Sequence, residues 1–381
     1  MARTMTTAGA TAAAATAAAL IASAVPAQAQ VAQIYNGEHG PVEIAVVAEG
    51  LEHPWAVAFL PDGRMLVTER PGRLRIVGTD GSLSPPLAGL PEIYAEDQGG
   101  LLDVHLHPDF AENSLVYLTF SEPGGEGAST AVLRGRLTDD ALEATEIVFS
   151  QQPKVSGGKH FGSRLAFAPD GTLFVGLGER FKFEPAQDLR SHLGAVVRVN
   201  DDGSVPDDNP FVGRDDAQAE IWSYGHRNIQ GAAIHPETGE LWVHEHGPLG
   251  GDELNIPEAG KNYGWPEVSW GIHYDNREIP DPPTRPEFER AIHYWTPVLA
   301  ASGMAFYTAD AFPQWQGNLL VGGLVTQNVV RVELNGREVV HEEGIPIGSR
   351  VRDVRVGPDG AVYVLTDEAE GRLLRLSPPA G

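Results

Sequence analysis

Cysteine is absent from the 381-residue chain. No disulfide framework, cysteine zinc site, iron–sulfur cluster or covalently attached haem can therefore form. Positive charge is scarce as well: 27 Lys+Arg stand against 52 Asp+Glu, a formal net charge of −25. A surface so acidic repels phosphate backbones, which excludes nucleic acid as the expected partner. No apolar run approaches the roughly 20 residues that cross a bilayer, so no membrane span is expected. Also missing are G-x-G-x-x-G, the P-loop, H-E-x-x-H and G-x-S-x-G. With them go the usual signs of Rossmann dinucleotide binding, phosphate cradling, zincin chemistry and a serine nucleophile elbow. Glycine (44) and proline (29) are abundant in a chain that is 42% hydrophobic and 21% charged. That is the composition of a turn-rich globular protein with a large core.

Residues 1–29 read as a leader. Arg3 is their only charge, an Ala/Thr stretch with Leu20, Ile21 and Val25 follows, and Ala27-Gln28-Ala29 has the small-x-small form of a signal-peptidase site. Cleavage after Ala29 and a periplasmic or secreted product are expected. No twin-arginine pair precedes the stretch, so general secretion is the expected route. Residues 30–40 read as an N-terminal extension, and 41–378 as one domain.

That domain is repetitive. Ala58-Phe59-Leu60-Pro61-Asp62-Gly63 runs into Met65-Leu66-Val67, Ala166-Phe167-Ala168-Pro169-Asp170-Gly171 into Leu173-Phe174-Val175, and Val354-Arg355-Val356-Gly357-Pro358-Asp359-Gly360 into Val362-Tyr363-Val364. Variants start at His107-Pro108 and His235-Pro236, and a looser copy spans Met304 to Val321. Each is a strand, a turn and a second strand. Proline presets one turn dihedral and glycine accepts the left-handed one. One hairpin cannot bury its own faces, whereas about six blades round an axis can. The fold expected is all-β: a six-bladed β-propeller with four-stranded antiparallel blades. Propellers gather ligands at the axis, so functional residues should sit on scattered loops just beyond the hairpins.

Four segments could carry chemistry. His160, in the loop Gly158 to Arg164, suits a general base because imidazole titrates near working pH. Arg227 and Asn228 precede a strand and suit an anionic or carbonyl-bearing ligand. The loop from Glu245 to Asn255, with Gly247-Pro248 and Glu253, exposes carbonyl and carboxylate oxygens of the kind calcium takes. Arg350 and Arg352, two apart on an extended segment, point the same way and suit a ligand with several carboxylates. The acidic loop 200–209 does not match the EF-hand pattern and reads as a plain turn.

In their order along the chain these pieces resemble the glucose/sorbosone dehydrogenase family, in particular its PQQ-dependent aldose sugar dehydrogenase branch. The resemblance runs from about Leu51 to Leu376. It is carried by Asp97-Gln98-Gly99-Gly100, His160-Phe161-Gly162-Ser163-Arg164, Gly225-His226-Arg227-Asn228, Glu245-His246-Gly247-Pro248 and Arg350-Val351-Arg352-Asp353. The resemblance implies the same six-bladed fold. It implies His160 as catalytic base and Arg227 as stabiliser of developing charge. Gln98, Arg227, Asn228, Tyr274, Arg350 and Arg352 are implied as PQQ contacts. The carbonyls of Gly247 and Pro248 are implied as ligands of the calcium on PQQ, and Glu253 and Tyr263 as a further calcium position. Two positions depart from the pattern. Glu179 stands where the glucose-specific branch has an Asp behind the base, and Val325 stands where a Lys is common, with Thr326 and Gln327 as candidate substitutes.

The activity implied is oxidation of an aldose at its anomeric carbon to a lactone, with an external electron acceptor because the chain carries no haem motif. Two rivals stand beside it: a calcium-dependent lactone hydrolase and a non-catalytic binding propeller. The hydrolase does not need paired arginines for a tricarboxylate, and loss of His160 or of the Gly247-Pro248 loop would favour the binding propeller, yet both are present. Sugar preference and the choice between monomer and homodimer are left open.

Overall fold

Each repeated Pro-Asp-Gly segment closes a hairpin, and its aspartate fastens the returning strand. In the computed structural model, which describes residues 30–276, 279 and 283–379, Asp62 Oδ1 accepts from Arg64 N at 3.0 Å, Asp170 Oδ1 from Thr172 N at 3.0 Å and Asp359 Oδ1 from Ala361 N at 3.2 Å. Gly63, Gly171 and Gly360 take φ of 87°, 87° and 78°, the left-handed region that favours glycine. In the two variants a histidine does the fastening. The Nδ1 atoms of His107 and His235 accept from Asp109 N at 2.9 Å and Glu237 N at 3.2 Å.

All six repeated hairpins are the innermost pair of a blade. The inner strands are Pro54–Phe59, Leu101–Leu106, Gly162–Phe167, Ile229–Ile234, Ala301–Phe306 and Val351–Val356. Each packs against the next and the sixth packs against the first, so the ring is closed. The expected six-bladed propeller is what forms. Blades 2 to 5 have four antiparallel strands. Blade 1 has three, extended only by a single bridge between Val77 and Leu83. Blade 6 has five: Gly40–Leu51 pairs with the C-terminal strand Gly371–Ser377, and Gln30–Gly37 adds beyond it. Residues 30–40 are thus largely strand in this closing sheet. The leader 1–29 lies outside the described residues. Helix is confined among the described residues to Phe110–Asn113 and two 3-10 turns.

The core follows from period-2 alternation with both faces covered. On the second strand of blade 3, Leu173, Val175 and Leu177 join an apolar cluster shared with blade 2, while Phe174 joins one shared with blade 4. Every blade interface has such a cluster.

The axis is plugged by charge. Arg164 Nη1 lies 3.2 Å from Asp103 Oδ1 and 2.9 Å from Asp353 Oδ1. Arg355 closes the square, with Nη2 2.8 Å from Asp103 Oδ1 and Nε 3.0 Å from Asp353 Oδ2. The acids also accept main-chain N–H groups, Leu165 N at 2.9 Å and Val57 N at 3.1 Å. Burying charges is costly unless each is paired and hydrogen-bonded, and here each is. The plug separates two axial mouths. One, of about 530 Å³, is lined by inner-strand ends such as Phe59, Leu106, Phe167 and Phe306, and carries none of the residues expected to do chemistry. The other is the candidate site.

Candidate active site

One positional rule builds this mouth. Inner strands begin there and second strands end there, the first register pair being Pro54 with Glu69, Gly162 with Leu177, Ile229 with Glu245 and Val351 with Thr366. Residues just before an inner strand or just after a second strand therefore converge on the axis. The first group holds His53, Gln98, His160, Arg227, Asn228 and Arg350. The second holds Arg70, Glu179, His246, Val325 and Asp367.

His160 and Glu179 are the two ends of the blade 3 hairpin. The His160 ring is buried, with Nδ1 2.5 Å from Glu179 Oε1. Glu179 Oε2 accepts from the main-chain N of Phe183 at 3.0 Å and also from that of Lys182. Although burial opposes it, the bond from His160 holds the Glu179 carboxyl below the ordinary range. Burial, and then the charge of Arg227, push the His160 imidazole down to about 4, against the pull of Glu179. With Glu179 ionised, Nδ1 carries the proton and Nε2 keeps its lone pair. The longer acid thus makes the orienting contact that its departure from the family pattern put in question. His160 N donates to Gln98 Oε1 at 2.9 Å. The approach is so close that a Cβ on Gly178 would lie 2.0 Å from the His160 carbonyl oxygen. Phe181 covers the ring edge-on at 5.0 Å, and Arg180, Phe181 and Phe183 have φ of 59°, 58° and 67°. Strain of this kind collects at functional sites.

Arg227 reaches across blade 4. Its Nη1 donates to the carbonyls of His246 at 2.9 Å and Gly247 at 2.8 Å, and its Nη2 to the Tyr274 hydroxyl at 3.5 Å. Its guanidinium lies over the rings of Trp265 and Tyr274. Asn228 Oδ1 accepts from Gly162 N at 3.1 Å.

Blade 6 supplies the other arginines. Arg352 Nη2 lies 2.6 Å and Arg350 Nη2 3.7 Å from Asp367 Oδ2, and His53 Nδ1 lies 3.1 Å from Oδ1. Although burial opposes it, Arg352 and its neighbours hold the Asp367 carboxyl far below its ordinary value. These residues, with Gln98, Phe161 and Asn228, line a cleft of about 510 Å³. Val325 stands at its rim, 57% exposed. Thr326 turns its hydroxyl to Asn328 Oδ1 at 2.6 Å, and neither Thr326 nor Gln327 lines the cleft. Asp353, read together with the two arginines, belongs to the axial plug instead.

Beside Arg227 a much smaller cavity is lined by Glu245, Gly247, Glu253 and Tyr263. Burial and the adjoining Glu245 raise the Glu253 carboxyl to about 8. Pro248 is buried next to Gly247 but does not line the cavity. The Tyr263 hydroxyl donates to Ile256 O at 2.5 Å and accepts from Glu258 N at 3.0 Å. Only its main-chain carbonyl is left to face an ion. The acidic loop 200–209 forms a turn, with Asp202 Oδ1 accepting from Ser204 N at 2.9 Å.

Sequence reasoning passed over Arg70, Asp367 and His53. The usable signal was positional: each adjoins the first pair of a repeated hairpin, as the recognised residues do.

At one axial mouth the six-bladed propeller thus gathers a buried His–Glu pair and convergent arginines. The chain belongs to the glucose/sorbosone dehydrogenase family, whose model matches residues 51–375. It is 50% identical over 347 residues to the aldose sugar dehydrogenase of Escherichia coli, covering 88% of this chain and 93% of that protein. The crystal structure of soluble aldose sugar dehydrogenase from Escherichia coli in its apo form superposes with a TM-score of 0.86 at 49% identity, covering 88% and 99% of the two chains. The PQQ-bound form of aldose sugar dehydrogenase from Streptomyces coelicolor gives 0.73 at 28% identity, with 88% and 98% covered.

Proposed function

We propose that this chain oxidises aldose sugars at the anomeric carbon to lactones, using PQQ and Ca²⁺, and that it works outside the cytoplasm after loss of residues 1–29. The observation that carries the reading is the His160–Glu179 contact of 2.5 Å beside an arginine-lined cleft. The residues suit both groups. The cleft volume falls within the roughly 300–1,000 Å³ of small-molecule sites. Arg227 Nε and Arg352 Nε are buried without hydrogen-bond partners, as donors awaiting an anionic ligand would be. Glu245, Glu253 and the Gly247 carbonyl offer the smaller cavity oxygens, which suit a hard cation, while Arg227 lines it too and already donates to the Gly247 carbonyl at 2.8 Å. The PQQ-bound Streptomyces relative supports the cofactor.

Arg350 and Arg352 would grip carboxylates of the cofactor, with Gln98, Asn228 and Tyr274 orienting it. The carbonyls of Gly247 and Pro248 would hold the calcium of the cofactor, and Glu253 with the Tyr263 carbonyl a further calcium. When bound, PQQ supplies the two-electron acceptor and calcium the Lewis acid. His160 Nε2 takes the proton of the anomeric hydroxyl as the hydride leaves C1, and Glu179 stabilises the imidazolium that forms. Arg227 would offer its guanidinium to negative charge on the acceptor. Buried walls keep bulk water from the base. Electrons then pass to an external acceptor.

The test uses purified protein supplied with PQQ and calcium, a panel of aldoses and an artificial dye, beside His160→Ala. Dye reduction that needs both additions and disappears in the variant supports the reading. Absence of PQQ binding overturns it in favour of a lactone hydrolase or a binding propeller.

A further inference from the structure

The cleft contains a cation with no role assigned so far. Arg70 directly follows the second strand of blade 1 and lines the cleft with Arg350 and Arg352. Its backbone is fixed from two sides: its N–H donates to His53 O at 3.0 Å and its carbonyl accepts from Leu101 N at 3.1 Å. Its Nη1 donates to the carbonyl of Asp97, a neutral acceptor that leaves the guanidinium's charge uncancelled. Its charge is also felt by Asp367, the carboxylate that Arg350 and Arg352 share. Three arginines thus face two carboxylates, Asp97 and Asp367, in the cleft of a chain whose net charge is −25. Across blade 6, the corresponding residue of blade 5 is the apolar, buried Leu324, followed at the rim by the apolar, exposed Val325. The cationic wall therefore runs over blades 6 and 1 and stops short of blade 5.

We infer that Arg70 is a third carboxylate-gripping residue of the cofactor site, so that the anionic edge of the ligand lies against blades 6 and 1. The inference rests on the PQQ reading above. Its chemistry is that of a guanidinium exchanging a neutral carbonyl for a carboxylate, a charge-assisted and stronger bond.

The experiment is a binding titration without turnover. PQQ and its trimethyl ester, whose carboxyl groups are neutral, are each titrated into wild type and Arg70→Gln, with quenching of tryptophan fluorescence as the readout; Trp55 lies in the cleft wall. Arg70→Gln is expected to weaken PQQ by about tenfold or more, with ester binding unchanged. PQQ binding within about twofold of wild type, or an equal loss for PQQ and ester, overturns the inference. If Arg70→Gln does not fold, Arg70→Lys takes its place under the same two criteria, since it loses the bidentate fork but keeps the charge. Wild type that binds no PQQ refutes the underlying function instead, which keeps the two failures distinct.

Discussion

Glu179 Oε1 lies 2.5 Å from His160 Nδ1, and the two residues are joined through one hairpin whose register pairs Gly162 with Leu177. The base and its orienting acid are therefore set by strand pairing, and a one-residue slip would part them. Glu179→Gln keeps the size of the side chain and removes its charge. It is expected to lower kcat by about 10²-fold, the lower end of general-base effects, and to lower the melting temperature as well, because the fold favours the ionised carboxyl. A variant retaining more than half of wild-type kcat would refute the orienting role.

The His160 imidazole is held at about 4 by burial and Arg227. A base of that kind is already unprotonated at pH 6. The acid limb of kcat/KM should thus be centred near pH 4 and not near 6.5, the ordinary histidine value. His105 is likewise lowered to about 4, chiefly by burial. Both groups have folded values below their unfolded ones, so their contribution to stability is complete above about pH 6.5 and is lost as pH falls through about 4. Denaturant midpoints that stay level from pH 7 to pH 4 would contradict this assignment.

Gly178 is required by the same contact. A methyl group there would meet the His160 carbonyl carbon at 2.5 Å and its oxygen at 2.0 Å, and backbone cannot rotate away as a side chain can. Gly178→Ala is expected to cost about 1–3 kcal/mol as overpacking and to lower kcat more than it raises KM, because it moves the base. Stability loss with wild-type kcat would place the strain elsewhere.

Asp353 accepts from Arg164, Arg355 and Val57 N at the axis. Asp353→Asn leaves two buried guanidinium groups sharing a single carboxylate, that of Asp103. About 3–5 kcal/mol of stability should be lost, by analogy with other broken buried pairs, and urea unfolding of the ligand-free protein measures it. A loss under about 1 kcal/mol would mean that the plug is wet and weakly coupled.

Local chemistry explains what was legible in the sequence. Pro-Asp-Gly turns fix hairpins within a few residues, so the blades could be counted before any tertiary contact was known. His160, Arg227 and the Arg350–Arg352 pair stood out because they sit in short glycine-bounded or doubly basic segments. Asp367 was not legible, since its meaning depends on Arg352, fifteen residues earlier at the other side of the same hairpin, and on His53 at the far end of the chain. Arg70 depends on ring closure, which sets blade 1 beside blade 6. Asp353 had no role in the sequence: neighbours in sequence on a strand face opposite ways, so Arg352 faces the cleft while Asp353 joins the plug. The three-stranded first blade and five-stranded last one come from the pairing of Gly40–Leu51 with Gly371–Ser377, which no repeat count reveals.

Blade 6 is knitted from both ends of the chain, Gly40–Leu51 against Gly371–Ser377. Assembly therefore has a built-in order. A nascent chain can complete blades 2 to 5 as they emerge, but the last sheet waits for the final strand. Arg350, Arg352 and Asp367 belong to that sheet, and Arg70 to the blade beside it. The Arg350–Arg352 side of the cleft is thus expected among the last parts to take shape, after Arg70 of the contiguous first blade. A chain cut short before residue 371 is expected to keep the His160–Glu179 pair and to lose the sheet that carries Arg350, Arg352 and Asp367.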